Sequence, residues 1–281
     1  MNYIIRHLEL LLTTEVEAAS SWQRLLRSFR AIKSVPESNY DLELIDEYFN
    51  HLTGVSGKRW YRLNLIQQVP DHAGILVSTG LNSYLSIEQN QYLLEALNDY
   101  YSEQGIHFYQ QDHDWFIALP AERKLTALSF HEIRGRNLLH VLPEGKDRVW
   151  WHALITEMQM FLSQQNIQTQ RFFKVNGVWI ENIEFPCDLV QTQIKETDAS
   201  WLQNIQSEQS SLSDNRPAVY LEHGYQYYCD GQYERLNDWL LQKQALINES
   251  IAEYPVVQVS GEHQCWSLSS WRRYFYQWFK A

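Results

Sequence analysis

The chain has 281 residues, a length that suits one large domain or two modest ones. Its 44% hydrophobic and 14% aromatic content supplies a core and excludes general disorder. A formal charge of −11, from 34 acidic against 23 basic side chains, opposes non-specific attraction to nucleic acid or anionic lipid.

The opening stretch MNYIIRHLELLLTTEVEAAS is apolar in part but broken by Arg6, His7 and Glu9. It lacks the basic head and sustained apolar run of a signal peptide, and nothing in the chain approaches the length of an uninterrupted membrane helix. Cys187, Cys229 and Cys265 form no CxxC pair, so reduced thiols and a cytoplasmic location are expected. Val16, Ala19, Trp22, Leu25, Leu26 and Phe29 recur at helical steps and predict a helix over 15–32. Arg24, Arg27, Arg30 and Lys33 then share one face, read as a solvated surface. A second helix is predicted over 41–52, with Leu42, Ile45, Phe49 and Leu52 inward and Gly54 and Gly57 after it.

Residues 60–69 are ambiguous, whereas 74–79 reads more clearly as a short strand. Ser86 and Gln89 have capping-box spacing ahead of a helix that runs towards Gly105. Ile106 and Phe108, then Trp115, Ile117 and Leu119, alternate as a hairpin about Asp112, His113 and Asp114 would require, and Pro120 stops the second strand. Residues 147–165 form the next long helix. A polar loop or linker is expected over 194–215, a strand over 218–221, a helix over 233–251 and a strand over 254–260. A short terminal helix would bury Trp271, Tyr274, Phe275 and Trp278. Helices alternating with strands predict an α/β fold with a mixed sheet and helices packed around it. The expected division is a main domain over 1–193, the 194–215 linker, and a smaller C-terminal subdomain over 216–281 packed on the first.

No GxGxxG, Walker-type, HExxH, GxSxG or calcium-loop motif is present. The segment Gly135 to Leu162 is the most unusual, because it gathers Arg136, His140, Glu144, Lys146, Asp147 and Arg148 before or at a helix start. Amides there could hold an anion with Arg136, Lys146 or Arg148, but a cap made by Asp147 is the preferred reading. Glu157 lies close to the apolar side of its helix. It needs a partner there, and a structural clamp to Arg136 or Arg171 is preferred over acid–base work. Met158 and Met160 read as packing residues. Asp112 and Asp114, with His131 and His140 added by the fold, form a candidate set for a divalent metal, although a hairpin turn needs no metal to explain it.

From Tyr92 to Leu162 the chain resembles the regulatory protein RpfE-type family of bacteria. The resemblance rests on Trp115, Gly135-Arg136, Leu138, Leu142-Pro143, Gly145, Trp150, Glu157, Gln159-Met160 and Leu162, followed by Arg171 and the NGVW segment Asn176 to Trp179. The end SSWRRYFYQWF is similar to the arginine- and tryptophan-rich C-terminus of that family. Ile180-Glu181-Asn182 stands where its members have a glycine-rich continuation. The family is at times labelled as similar to cofactor-independent phosphoglycerate mutase, whose two-metal site uses a serine or threonine nucleophile with several Asp and His ligands. The resemblance implies a regulatory or ligand- or partner-binding protein, with Arg136, Glu157, Gln159, Arg171, Asn176 and Trp179 as the pocket or interaction face. It needs no cofactor, and its partner would be a small molecule or a protein, not nucleic acid or a membrane. The enzyme alternative is a metal-dependent, mutase-like or phosphatase-like phosphoryl transfer, with Asp112, Asp114, His131 and His140 holding the metal.

Overall fold

The computed structural model describes residues 2–5, 16–27, 30–32, 42–72, 74–169, 173–183, 194–197, 218–221, 227–228, 230–253, 256–260 and 265–269. The chain is mixed α/β, as the alternation of elements predicts, and it forms two compact units. One comprises Met1–Tyr40, Pro186–Tyr228 and Gln232–Ala281; the other comprises Asp41–Phe185 and Cys229–Gly231. The linear division expected from the sequence gives way to this discontinuous one, because the first strand has C-terminal partners.

In the first unit, β1 (Asn2–Ile5) runs parallel to both β9 (Ala218–Leu221) and β10 (Val256–Ser260). The six-stranded order is β2-β11-β10-β1-β9-β8, with β2 at Arg30–Ile32, β8 at Ile194–Thr197 and β11 at Cys265–Ser269. The helix expected over 15–32 is therefore shorter. Helix α1 covers Glu17–Arg27, and the chain then becomes an antiparallel strand beside β11. Residues 194–197, expected in a polar loop, form a strand because β9 supplies parallel hydrogen-bonding partners that override a polar sequence. Helix α6 (Tyr233–Glu253) packs on α1. Trp22 is fully buried and donates through Nε1 to Leu240 O at 2.7 Å, while Asn237 Oδ1 accepts from Ala18 N at 2.9 Å. The expected C-terminal helix lies outside the described residues.

The second unit is built on β3 (Lys58–Asp71), a 14-residue strand over the stretch whose sequence is ambiguous. Its length gives it three antiparallel neighbours. β6 (Asp114–Pro120) pairs along 58–63, β7 (Gly177–Glu181) along 62–66 and β4 (Gly74–Gly80) along 66–71. β5 (His107–Gln111) completes the predicted hairpin with β6 around a two-residue turn, Asp112 and His113. Two carboxamides stand in for strand that is missing. Asn82 accepts from Leu65 N at 2.7 Å and donates to Leu63 O at 3.1 Å. Asn176 accepts from Gln68 N at 2.7 Å and donates to Gln68 O at 2.9 Å. Each satisfies backbone groups of β3 that would otherwise be stranded.

Helices α3 (Ile87–Tyr101) and α5 (Arg148–Gln165) cover one face of this sheet. Ser86 and Gln89 form the capping box that their spacing predicts. Leu93, Leu97 and Tyr101 from α3 meet Trp151, Leu154, Ile155, Met158 and Leu162 from α5 over Leu63, Leu65, Trp115 and Ile117 of the sheet. The indole of Trp115 donates to Asn90 Oδ1 at 3.0 Å, so its one polar atom is satisfied inside the core. On the other face, α2 (Leu42–Thr53) lays Phe49 against Trp60 and Phe116, with centroids at 5.2 and 4.6 Å. No helix among the described residues is long and apolar enough to cross a membrane.

Candidate functional site

The alternation of β3 sends Tyr61, Leu63 and Leu65 towards α3 and α5, and Trp60, Arg62 and Asn64 to the opposite face. Arg62 is buried there and donates to Asp114 Oδ1 at 3.0 Å, with Asp114 equally buried. Asp114 lies two residues along β6 from Phe116, the direct cross-strand neighbour of Arg62, so the pair is a diagonal contact on one face. The guanidinium also sits 5.8 Å from the centre of the Phe116 ring. On the opposite edge Arg62 pairs in register with Glu181, likewise buried. Glu181 Oε2 accepts from Phe130 N at 2.6 Å, at the start of the short helix α4 (Phe130–Ile133). Asp230 comes from far along the chain, and its carboxylate accepts from both the backbone N–H and the hydroxyl of Ser83, while its carbonyl accepts from the Tyr84 hydroxyl. A side chain at Gly80 would collide with that carboxylate. These charged groups are buried and engaged, and they hold strands and turns together.

The proposed metal ligands do not converge. Asp112 is exposed at the hairpin tip with φ at 51°, and Asp114 serves Arg62. His131 Nδ1 lies 3.0 Å from the Ser129 hydroxyl, and His140 is exposed on a 3-10 turn, Leu138–His140. Among the described residues no three His, Cys, Asp or Glu side chains gather.

The binding candidates are also dispersed. Arg136 is exposed, and its backbone guards the edge of β4 by accepting from Val77 N at 3.1 Å. Asn176 is the strand surrogate on β3. Trp179 is fully buried and donates to Leu128 O at 2.9 Å. Arg171 lies outside the described residues. Asp147 does not cap α5: its carboxylate accepts from Arg123 Nη1 at 3.0 Å and Lys124 N at 3.3 Å instead. The Lys124 amide, then the Arg123 guanidinium, hold its pKa below the ordinary value although partial burial opposes them.

Glu157 and Gln159 of α5 belong to a different arrangement. Glu157 is half-buried and accepts from Gln104 Nε2 at 3.2 Å, and among the described residues no arginine forms a salt bridge with it. Further along, Tyr100 and Phe161 lie 4.8 Å apart, Tyr92 donates to Gln165 Oε1 at 2.7 Å, and Gln89 donates to Gln168 O at 2.7 Å. As residue numbers rise on α3 they fall on its neighbour, so the helices are antiparallel and share an outer surface. Tyr92 (52%), Tyr100 (50%) and Met160 (62%) are largely exposed on it, so Met160 is not the packing residue that its type suggests. Val149, Ala153, Thr156, Met160 and Ser163, at steps of three and four, make the outward ridge of α5 without a charge. On α3, Glu88, Glu95 and Asp99 are exposed, and Glu103 follows in the turn after it. Sequence reading missed this surface. Its signal was the absence of any Lys or Arg across Ile87–Tyr101.

No family model matches the chain, and no curated protein does. The resemblance to the RpfE-type family is thus without a matching model. Among solved structures the chain is similar to the cofactor-independent phosphoglycerate mutase from Thermoplasma acidophilum DSM 1728. That match has a TM-score of 0.36 and 11% identity over 95% of this chain and 89% of that one, a weak likeness from which no residue role is taken.

Proposed function

We propose that the chain is a regulatory, partner-binding protein that works in the cytoplasm, with its binding surface on the outer face of α3 and α5. The observation that carries this reading is the pairing of an uncharged, partly apolar ridge with exposed tyrosines on two firmly packed helices. Single exposed apolar residues are ordinary, but aromatic and methionine side chains side by side on rigid elements have the composition of interface cores. Glu157 and Gln159, two of the residues singled out in the sequence, lie on this helix pair. The buried charges on the other sheet face are engaged in holding the fold, which argues against their use on a substrate. The phosphoryl-transfer alternative has no ligand set among the described residues.

A photo-crosslinking residue placed at Met160 tests the reading in cells, with exposed Glu122 as the control position. A discrete adduct from position 160, absent from position 122 and lost on Tyr100→Asp, is the expected result. Equal labelling from both positions, or none from either, overturns the proposal.

A further inference from the structure

We infer that the outer face of α3 and α5 receives a basic amphipathic segment of another protein, with Lys or Arg along one side and aliphatic residues along the other. The inference rests on the partner-binding reading and specifies its partner. Three observations carry it.

The first is a charge order that works against the helix itself. Glu95 and Asp99 stand four residues apart on α3, and like charges at that spacing destabilise a helix. Asp99 also lies in the last turn of α3, with Glu103 just beyond it, where the macrodipole is negative and a cation would be favoured. The ammonium of Lys58 reaches this end, but it donates to Gly105 O at 2.6 Å. None of Glu88, Glu95, Asp99, Glu103 or Glu157 has a salt-bridge partner among the described residues. The second observation is the uncharged ridge of α5 beside this acidic row, which gives the face one acidic lane and one uncharged, partly apolar lane. The third is Tyr101 at the seam. It is fully buried, and its hydroxyl has no hydrogen-bond partner among the described residues. Burial, with Glu157 close by, drives its pKa far up.

Charge selects the occupant. A second copy docked face to face would bring acidic row against acidic row, and nucleic acid or an anionic membrane would be repelled. A basic amphipathic helix complements both lanes at once, the helix-in-groove mode of peptide recognition. The 15 residues of α3 give the face a length of about 22 Å, which a partner helix of similar length would cover.

The test is fluorescence anisotropy of the full chain with a labelled Lys/Leu amphipathic peptide of about 15 residues, beside a Glu/Leu peptide of the same pattern. The double variant Glu95→Lys with Asp99→Lys should weaken the Lys/Leu peptide about tenfold or more. The charge-matched control, Glu122→Lys with Glu144→Lys, should bind as the parent does. Met160→Asp should weaken binding at low and high salt alike, whereas the charge-dependent part should fade as salt rises. Equal loss in the control pair would mean that the peptide senses net charge alone, and the inference falls. It also falls if the Glu/Leu peptide binds as well, or if neither peptide binds. If neither binds while the position-160 adduct in cells persists, partner binding stands and the basic partner is rejected. If the adduct is also absent, both readings fall.

Discussion

Asp114 was legible as an acidic residue at a hairpin turn, and that position suggested a metal. Its actual task follows from the second face of the sheet, where Arg62 must be neutralised away from water. Nothing in the pattern of either strand could pair them, because they lie 52 residues apart in sequence and meet only through the β3–β6 register. Asp114→Ala removes one buried carboxylate partner of Arg62, and a loss of about 1–3 kcal/mol is expected in urea denaturation. A loss below about 0.5 kcal/mol would show that the pair contributes little, as exposed pairs do. Asp147 gives a pH test. Its folded pKa is lowered, so its contribution is full above the unfolded value and fades as pH falls through the folded one. Asp147→Asn should therefore be less stable than the parent at pH 7, and the gap should begin to close only below about pH 4, as pH falls towards the lowered folded pKa. A gap in stability that stays constant down to pH 3 would rule out this linkage.

The strongest local signals were borne out at the level of whole elements. The capping box at Ser86, the hairpin around Asp112 and His113, and the helix ending near Gln165 all depend on residues close in sequence. Elements that depend on distant partners were misread, as at 30–32 and 194–197, where a neighbouring strand decides the conformation. The same limit hid Asn176. It was read as part of a ligand motif, and only the end of β7 beside Gln68 shows it acting as a strand surrogate. Asn176→Ala should cost about 1–3 kcal/mol, the penalty for leaving buried backbone groups of β3 without partners. Helix α3 makes the opposite forecast. Asp99→Lys relieves the like-charge spacing with Glu95 and complements the helix C-terminus, so stability should rise by about 0.5–1 kcal/mol. If the surface serves a basic partner, that gain will coincide with weaker Lys/Leu peptide binding, a trade between stability and function. A loss of stability on Asp99→Lys would show that the carboxylate has a supporting role within the fold.

At the level of the molecule, composition and alternation sufficed for the α/β class, but not for the division into units. A discontinuous unit has no composition boundary to detect: β1 takes its place only when β9 and β10, more than 200 residues later, are present on either side. The other unit is nearly continuous, since Asp41–Phe185 contains its five strands and the core beneath α3 and α5. Its single distant addition is Cys229–Gly231, which delivers Asp230 to Ser83. This arrangement predicts that a fragment of residues 41–185 folds without the remainder of the chain. Loss of the Asp230 contacts should lower its stability by about 1–3 kcal/mol, because Ser83 N–H and hydroxyl groups lose a charged acceptor. Circular dichroism should show one cooperative melting transition for the fragment, and Ser83→Ala should then have a smaller effect in the fragment than in the full chain. A fragment without cooperative melting would mean that the compact unit depends on the first for its fold, and the division would then describe contacts without describing independent stability.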